Sequence, residues 1–293
     1  MINFLLVDAF TEQKFAGNAC SVVLVNQFPV DSLMLSMAKE FNQSETSFVE
    51  KTKETNKFNV RYFTTSSEIP LAGHPTIATA KALLHLNLII LNDASNLTTI
   101  QFNLIEGPID VEIQHDLKKN VDLIVMKQRK PKFFSLHDPD VVLPFFGLEK
   151  SDLFPDSLIQ TVSTGTKQMM IFLKDKKSLQ KAEVSNQKAL DSYKDSSDFF
   201  CPFLFTMEGI KNGKTFARMI GYGQEDAATG SATGAMSAYL WKYGFLDERK
   251  FIAEQGHWLG RPSEIHVEVS GRRDDVEWVK IGGNAAVVLE GLI

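Results

Sequence analysis

Cysteine is nearly absent: Cys20 and Cys201 are the only two in 293 residues, far apart and outside any CxxC. Neither a disulfide framework nor a cysteine-rich metal site can be built from them, and a reduced compartment is the default expectation. Long apolar runs are missing too. The longest, around Ala82 to Leu91, is broken by His85 and Asn87 and falls far short of the roughly 18 residues that a membrane span requires. The opening MINFLLVDAF lacks the basic flank and small-residue cleavage site of a signal peptide, so the chain is expected to be soluble and cytoplasmic, with no membrane partner. Charge of one sign is scarce: 31 Lys+Arg against 36 Asp+Glu leave a net −5, which argues against a nucleic-acid footprint, and no polyanion partner is implied. The six histidines show no HxH or HExxH spacing, which argues against a metal site.

What is there is ordinary globular composition, 44% hydrophobic and 23% charged, over a length that corresponds to two domains at about 150 residues each. Short β-type runs alternate with amphipathic segments, a mixed α/β pattern: FLLVDAF, SVVLV from Ser21, SFVE from Ser47 and FNVRYF from Phe58. A helix is expected over Asp31 to Glu40, with Asp31 as N-cap and Leu33, Met34 and Met37 on its buried face. A second is expected from His74 to His85 with Pro75 in its first turn, and a third from Ser231 to Tyr243. Strands should dominate Leu97 to Met126, Thr161 to Leu173, Phe199 to Met207 and Ile265 onward. KQRKPK at Lys127 to Lys132 reads as a solvated linker between halves, and Lys174 to Asp198 as an exposed helix with flanking loops.

An internal repeat decides the expected architecture. Sliding the sequence by 157 residues superimposes Arg61 on Arg218, Glu68 on Glu225, Gly73 on Gly230, Thr76 on Thr233, Ala78 on Ala235 and Leu83 on Leu240. Both copies share one physical grammar: a strand ending near the Arg, an acidic loop, Ala or Thr followed by Gly, then a small-residue helix. The repeat and the basic linker together predict two similar domains, 1–127 and 128–284. Two pseudo-symmetric helix starts would each offer unsatisfied N–H groups and about half a positive charge, which suits a carboxylate ligand.

The loops LAGHPT and DAATGSATG put Gly73, His74, Gly230 and Ser231 at those starts, and neither matches GxxxxGK or GxGxxG. Each loop also reads as a glycine turn before a core helix. The titratable groups nearby are Glu68, His74, Glu225 and Asp226, with Glu45 in NQSETSFV as a further candidate. Glu45 lies between an amphipathic helix and an apolar strand, where a carboxylate can be partly desolvated and its pKa raised as a proton-transfer residue needs; the other reading is an exposed loop acid. His74 is either part of the site or a helix-start capping residue.

VDAFTEQKFAGNACSVVLV, NQSETSFVE, RYFTTSSEIPLAGHPTIATA, GYGQEDAATGSATGAMSAYL and QGHWLGRPS together resemble the phenazine-biosynthesis PhzF-type isomerase family, within the diaminopimelate-epimerase-like superfamily. The resemblance covers nearly the whole chain. It implies an α+β fold of two domains, each a curved mixed sheet wrapped around a central helix, with the last strand, 285–293, returning to the first domain and the active site in the cleft between the two. It implies an enzyme without cofactor or metal, usually a homodimer, that moves a proton within a small, cyclic, unsaturated carboxylate. Residue by residue, it puts the general acid/base on Glu45, with His74 and Asp226 orienting the substrate and assisting proton transfer. Gly230 and Ser231 receive the substrate carboxylate, with Gly73, Ser44 and Asn18 close by.

Two positions depart from the family pattern. Ala72 stands where a Cys often precedes the first Gly–His, and Ala227 where a Pro often follows the acid. The superfamily's racemases have one thiol at each symmetric helix start. Here those places hold Ala72 and Thr229, so a two-thiol racemase is excluded. The expected function is a cofactor-independent isomerase; the alternative is a catalytically silent small-molecule binder or interaction protein that keeps the cleft.

Overall fold

The computed structural model describes residues 2–92, 94–116, 121–221 and 223–293. The chain divides into two compact units, Met1–Lys127 with Gly282–Ile293, and Gln128–Ile281.

The first unit contains β1 (Asn3–Ala9), β2 (Asn18–Val25), α1 (Asp31–Phe41), β3 (Glu45–Lys51), β4 (Lys57–Thr64), β5 (Glu68–Ile69), α2 (His74–His85), β6 (Leu97–Leu104), β7 (Gly107–Asp116) and β8 (Val121–Lys127). Residues 117–120, inside the stretch expected to be strand, lie outside the described residues. The second unit runs through β9 (Lys132–His137), α3 (Pro139–Val142), β10 (Ile159–Ser163), β11 (Lys167–Phe172), α4 (Lys176–Lys181), α5 (Gln187–Asp195), β12 (Cys201–Thr206), β13 (Thr215–Arg218), α6 (Gly230–Lys242), β14 (Lys250–Gln255), β15 (Ser263–Gly271) and most of β16 (Val276–Gly283). The last strand, β17 (Ala285–Leu292), pairs antiparallel with β1, Asn3 opposite Leu292 and Ala9 opposite Ala285.

The two units repeat one pairing scheme. In the first, β17–β1 and β1–β2 are antiparallel, β2–β3 parallel, β3–β4 antiparallel, β4–β6 parallel and β6–β7 antiparallel. In the second, the same senses follow through β9–β10, β10–β11, β11–β12, β12–β13, β13–β14 and β14–β15. The 157-residue offset survives as bonds. Arg61 grips Glu68 bidentately, Nε to Oε1 at 2.7 Å and Nη2 to Oε2 at 2.6 Å, and Arg218 grips Glu225 in the same way at 2.9 and 2.8 Å. Both helices that follow end alike: the N–H of Leu88 bonds the carbonyl of Leu83, and that of Phe245 the carbonyl of Leu240. The residue at the turn is left-handed in each copy, Asn87 at φ 53° and Gly244 at φ 75°.

Each of these helices is buried nearly all round, which is why both are built from small residues. In α2 the buried set includes Pro75, Ile77, Ala78, Ala80, Ala82 and Leu83; in α6 every residue from Ala232 to Trp241 is buried. The hydroxyls that small-residue helices carry inward are satisfied there: Thr79 Oγ1 donates to Ser47 Oγ at 2.7 Å, and Tyr62 and Thr76 share a bond of 2.9 Å. In the first unit, Met34 and Ala38 of α1 pack on Val23, Val25, Phe48 and Phe63. In the second unit, Leu179 of α4 and Leu190 of α5 pack with Met169, Ile171, Leu204 and Phe216.

Four local expectations are corrected. Val30, not Asp31, is the N-cap of α1, because the Asp31 carboxylate accepts from Arg61 Nη1 at 2.9 Å instead. Leu33 is exposed, and Ala38 fills the buried face with Met34. Lys174 to Asp198 forms two helices rather than one; Asp175 and Asn186 cap them separately, accepting from the N–H groups of Ser178 and Ala189. The KQRKPK segment is not wholly solvated, since Gln128 is buried and its Nε2 donates to the Gly230 carbonyl at 3.0 Å.

Candidate active site

In the first unit, two strand beginnings and one helix start bring together residues that are far apart in sequence. Gly17, at φ 60°, brings the chain so close to β1 that a Cβ there would lie 2.1 Å from the Ala9 carbonyl oxygen, which only glycine permits. Asn18 then opens β2 opposite Ala9. Glu45 is the first residue of β3, paired in parallel register with Cys20, so it is a strand residue rather than a loop acid. Gly73 is the N-cap of α2 and His74 its first residue, with no side chain capping the start.

His74 is 5% exposed and sits at the centre of this group. Its Nδ1 lies 3.3 Å from Asn18 Nδ2; its Nε2 lies 3.4 Å from Ser44 Oγ and 3.3 Å from Glu45 Oε2. An amide nitrogen can only donate, so Nδ1 accepts and the proton of the neutral ring sits on Nε2, facing Ser44 and Glu45. The Glu45 side chain keeps 22% of its exposure, yet its Oε2 is sealed from solvent and makes no hydrogen bond. Burial pushes the Glu45 carboxyl well above the usual carboxylate range, and the Ser44 hydrogen bond opposes this. A carboxyl whose protonated form is favoured by burial, set beside an imidazole, is the equipment of general acid/base chemistry.

The thiols contribute nothing of the kind. Cys20 is fully buried and its thiol is pushed far up, first by desolvation and then by the Glu45 charge. Burial pushes Cys201 up to about 12. Both are inert as nucleophiles.

In the second unit, Asp226 and Thr229 form the approach to α6. The Asp226 N–H donates to the Met219 carbonyl at 3.2 Å, the bridge that repeats the Tyr62–Ile69 pair of the first unit. Thr229 is the N-cap of α6, but its hydroxyl does not cap; it turns back to Asp226 Oδ2. The start of α6 at Gly230 and Ser231 therefore carries no side-chain cap, and its N–H groups keep their attraction for an anion. Gly230 is the first helical residue, one earlier than the expected Ser231.

Three residues escaped sequence reasoning. Gln255 bonds both Asp226 and Thr229. Gln128 and Thr164 donate to the carbonyls of Gly230 and Ser231. Gln255 opens QGHWLGRPS and Gln128 lies in KQRKPK, so each was visible in a noted segment, but nothing local marks either as a partner of a helix start. Among the described residues, no group of three or more His, Cys, Asp or Glu could hold a metal ion, and no helix is long and apolar enough to cross a membrane.

Comparison with known proteins agrees with this architecture. The phenazine biosynthesis-like protein family matches residues 7–291. An uncharacterized isomerase of Clostridium acetobutylicum is 36% identical over 98% of this chain and 96% of its own length. The trans-2,3-dihydro-3-hydroxyanthranilate isomerase of Pseudomonas chlororaphis is 30% identical over 100% of this chain and 99% of its own. The crystal structure of a PhzF-family phenazine biosynthesis protein of Bacillus anthracis superimposes with a TM-score of 0.87 at 24% identity, covering 100% of this chain and 99% of that one. The fold is therefore the α+β arrangement that the resemblance implied. The chain belongs to the phenazine biosynthesis-like protein family and is an enzyme of the isomerase class.

Proposed function

We propose that this isomerase acts without cofactor, shifting a proton within a small, cyclic, unsaturated carboxylate, with Glu45 as the general acid/base. The observation that carries the reading is the sealed Glu45 oxygen 3.3 Å from His74 Nε2, on a carboxyl whose burial favours its protonated form. Glu45 takes the proton from a carbon made acidic by the adjacent unsaturation and returns it elsewhere on the same face. His74, held by Asn18 through Nδ1, keeps its N–H toward Glu45 and Ser44. It stabilises the carboxylate form while the substrate is protonated. Asp226 assists in proton transfer, and the N–H groups of Gly230 and Ser231 receive the substrate carboxylate, with Gly73 and Ser44 as further substrate-binding residues. A cytoplasmic homodimer is the setting we propose for it.

The test is deuterium incorporation. The protein is incubated in D2O with trans-2,3-dihydro-3-hydroxyanthranilate and a panel of cyclic unsaturated carboxylates, and the ligand is examined by proton NMR. Protein-dependent exchange at a ring carbon, lost in Glu45→Gln, supports the reading. A ligand that binds but exchanges no proton identifies a silent binder and refutes it.

A further inference from the structure

Glu254 and Gln255, the last two residues of β14, are each 1% exposed and face opposite sides of the strand. Glu254 accepts the N–H groups of Ile210, Lys211 and Asn212 and so anchors the loop before β13. Gln255 turns toward the approach to α6. Its Oε1 accepts the Thr229 N–H at 3.0 Å, while its Nε2 donates to the Asp226 carbonyl at 2.8 Å and to Thr229 Oγ1 at 3.1 Å. A backbone N–H can only donate and a carbonyl only accept, so these partners fix the orientation of the amide.

That orientation has a consequence for Thr229. A hydroxyl has one proton. Since Thr229 Oγ1 already receives an N–H from Gln255, it sends its own proton elsewhere. The two acceptors within reach are Asp226 Oδ2 and Met219 Sδ, the latter at 3.2 Å, and a carboxylate oxygen is much the stronger. The bonds then run one way, from Gln255 to Thr229 to Asp226.

We propose that Gln255 is a positioning residue which, through Thr229, holds Asp226 as a hydrogen-bond-accepting carboxylate. The proposal rests on the reading of Asp226 as part of the active site. Gln255 touches no substrate; it acts by setting the direction of the Thr229 proton.

The experiment compares Gln255→Met, which removes both donors without adding charge, Thr229→Val, the double variant, and Thr229→Ser, which keeps the hydroxyl. Two quantities are read: kcat and KM for deuterium exchange into trans-2,3-dihydro-3-hydroxyanthranilate, and the 13Cγ shift of Asp226 at pH 7 in labelled protein. Each of the first two substitutions should lower kcat roughly 10- to 100-fold, the effect of losing one hydrogen bond to a charged group, with KM little changed. The double variant should be no worse than either, because both break one chain. Thr229→Ser should retain nearly full kcat. The Asp226 resonance should move in the same direction in Gln255→Met, Thr229→Val and the double, and stay put in Thr229→Ser. Additive losses, an Asp226 resonance that ignores Gln255→Met, or a serine variant that behaves like valine would each overturn the proposal. The NMR comparison needs no turnover, so an inactive wild type would refute the proposed function while still deciding the Gln255 chain. If Gln255→Met does not fold, the valine and serine pair still decides whether the Thr229 hydroxyl acts on Asp226.

Discussion

Replacing Glu45 by Gln changes one atom and separates catalysis from stability. Gln keeps the shape of the side chain but cannot exchange a proton. Loss of a positioned general acid/base costs about 10² to 10⁴ in rate, which at 1.36 kcal/mol per tenfold is roughly 2.7 to 5.4 kcal/mol of transition-state stabilisation. Folding should move the other way. Burial makes the charged form of Glu45 unfavourable in the native protein and raises its pKa above the ordinary 4.5. Between that ordinary value and the raised one, the native state binds more protons than the unfolded state, so Glu45 makes stability fall as pH rises, by up to about 1.4 kcal/mol per pH unit. The contribution is whole below pH 4.5 and lost once the pH passes the raised value. The amide of Glu45→Gln does not titrate. Its stability relative to wild type should therefore grow from pH 4.5 upward and then level off. Melting temperature measured across that range, together with deuterium exchange rates, tests both halves. A variant that exchanges at the wild-type rate refutes the acid/base role, and parallel stability curves refute the buried, proton-holding carboxyl.

Gly234→Ala should destabilise the protein by about 1 to 3 kcal/mol through overpacking, although alanine is the better helix former. The new Cβ would lie 1.6 Å from Gln128 Oε1; urea denaturation measures the loss, and pairing the change with Gln128→Ala should recover part of it. Arg218→Lys should cost more stability than Arg61→Lys in the same assay, because Arg218 also donates to the Leu179 and Ala182 carbonyls at 3.1 and 2.8 Å, whereas the further partner of Arg61 is the exposed Asp31. Equal losses would show that only the bidentate carboxylate contact matters. Native protein should react with a thiol reagent at pH 8 only as fast as it unfolds, since burial keeps both Cys20 and Cys201 protonated; rapid labelling of either would contradict this.

Much of the fold was legible because its signals are local. Helix α2 was readable to both ends from Gly73, Pro75 and a run of small residues, since capping and periodicity are written within a few positions. The repeat was legible because Arg61–Glu68 and Arg218–Glu225 each close a bond over seven residues, a spacing that survives duplication. Asp31 misled for the same reason: local propensity made it a cap, and Arg61, thirty residues away, took its carboxylate instead. The likeness to a family named the candidate residues, and the chain itself carries the motifs that justify it. Sequence could not say what those residues do to one another. That Asn18 fixes the ring nitrogen of His74, that one Glu45 oxygen is sealed from water, and that Gln255 directs the Thr229 hydroxyl toward Asp226 all depend on strand register and burial. These join positions tens of residues apart, and no short window of sequence encodes such a distance. Sequence by itself determined most of the elements, their repetition and the family; tertiary structure alone decided which polar groups are desolvated and which proton faces which acceptor, because pKa and hydrogen-bond direction are properties of surroundings and not of a residue.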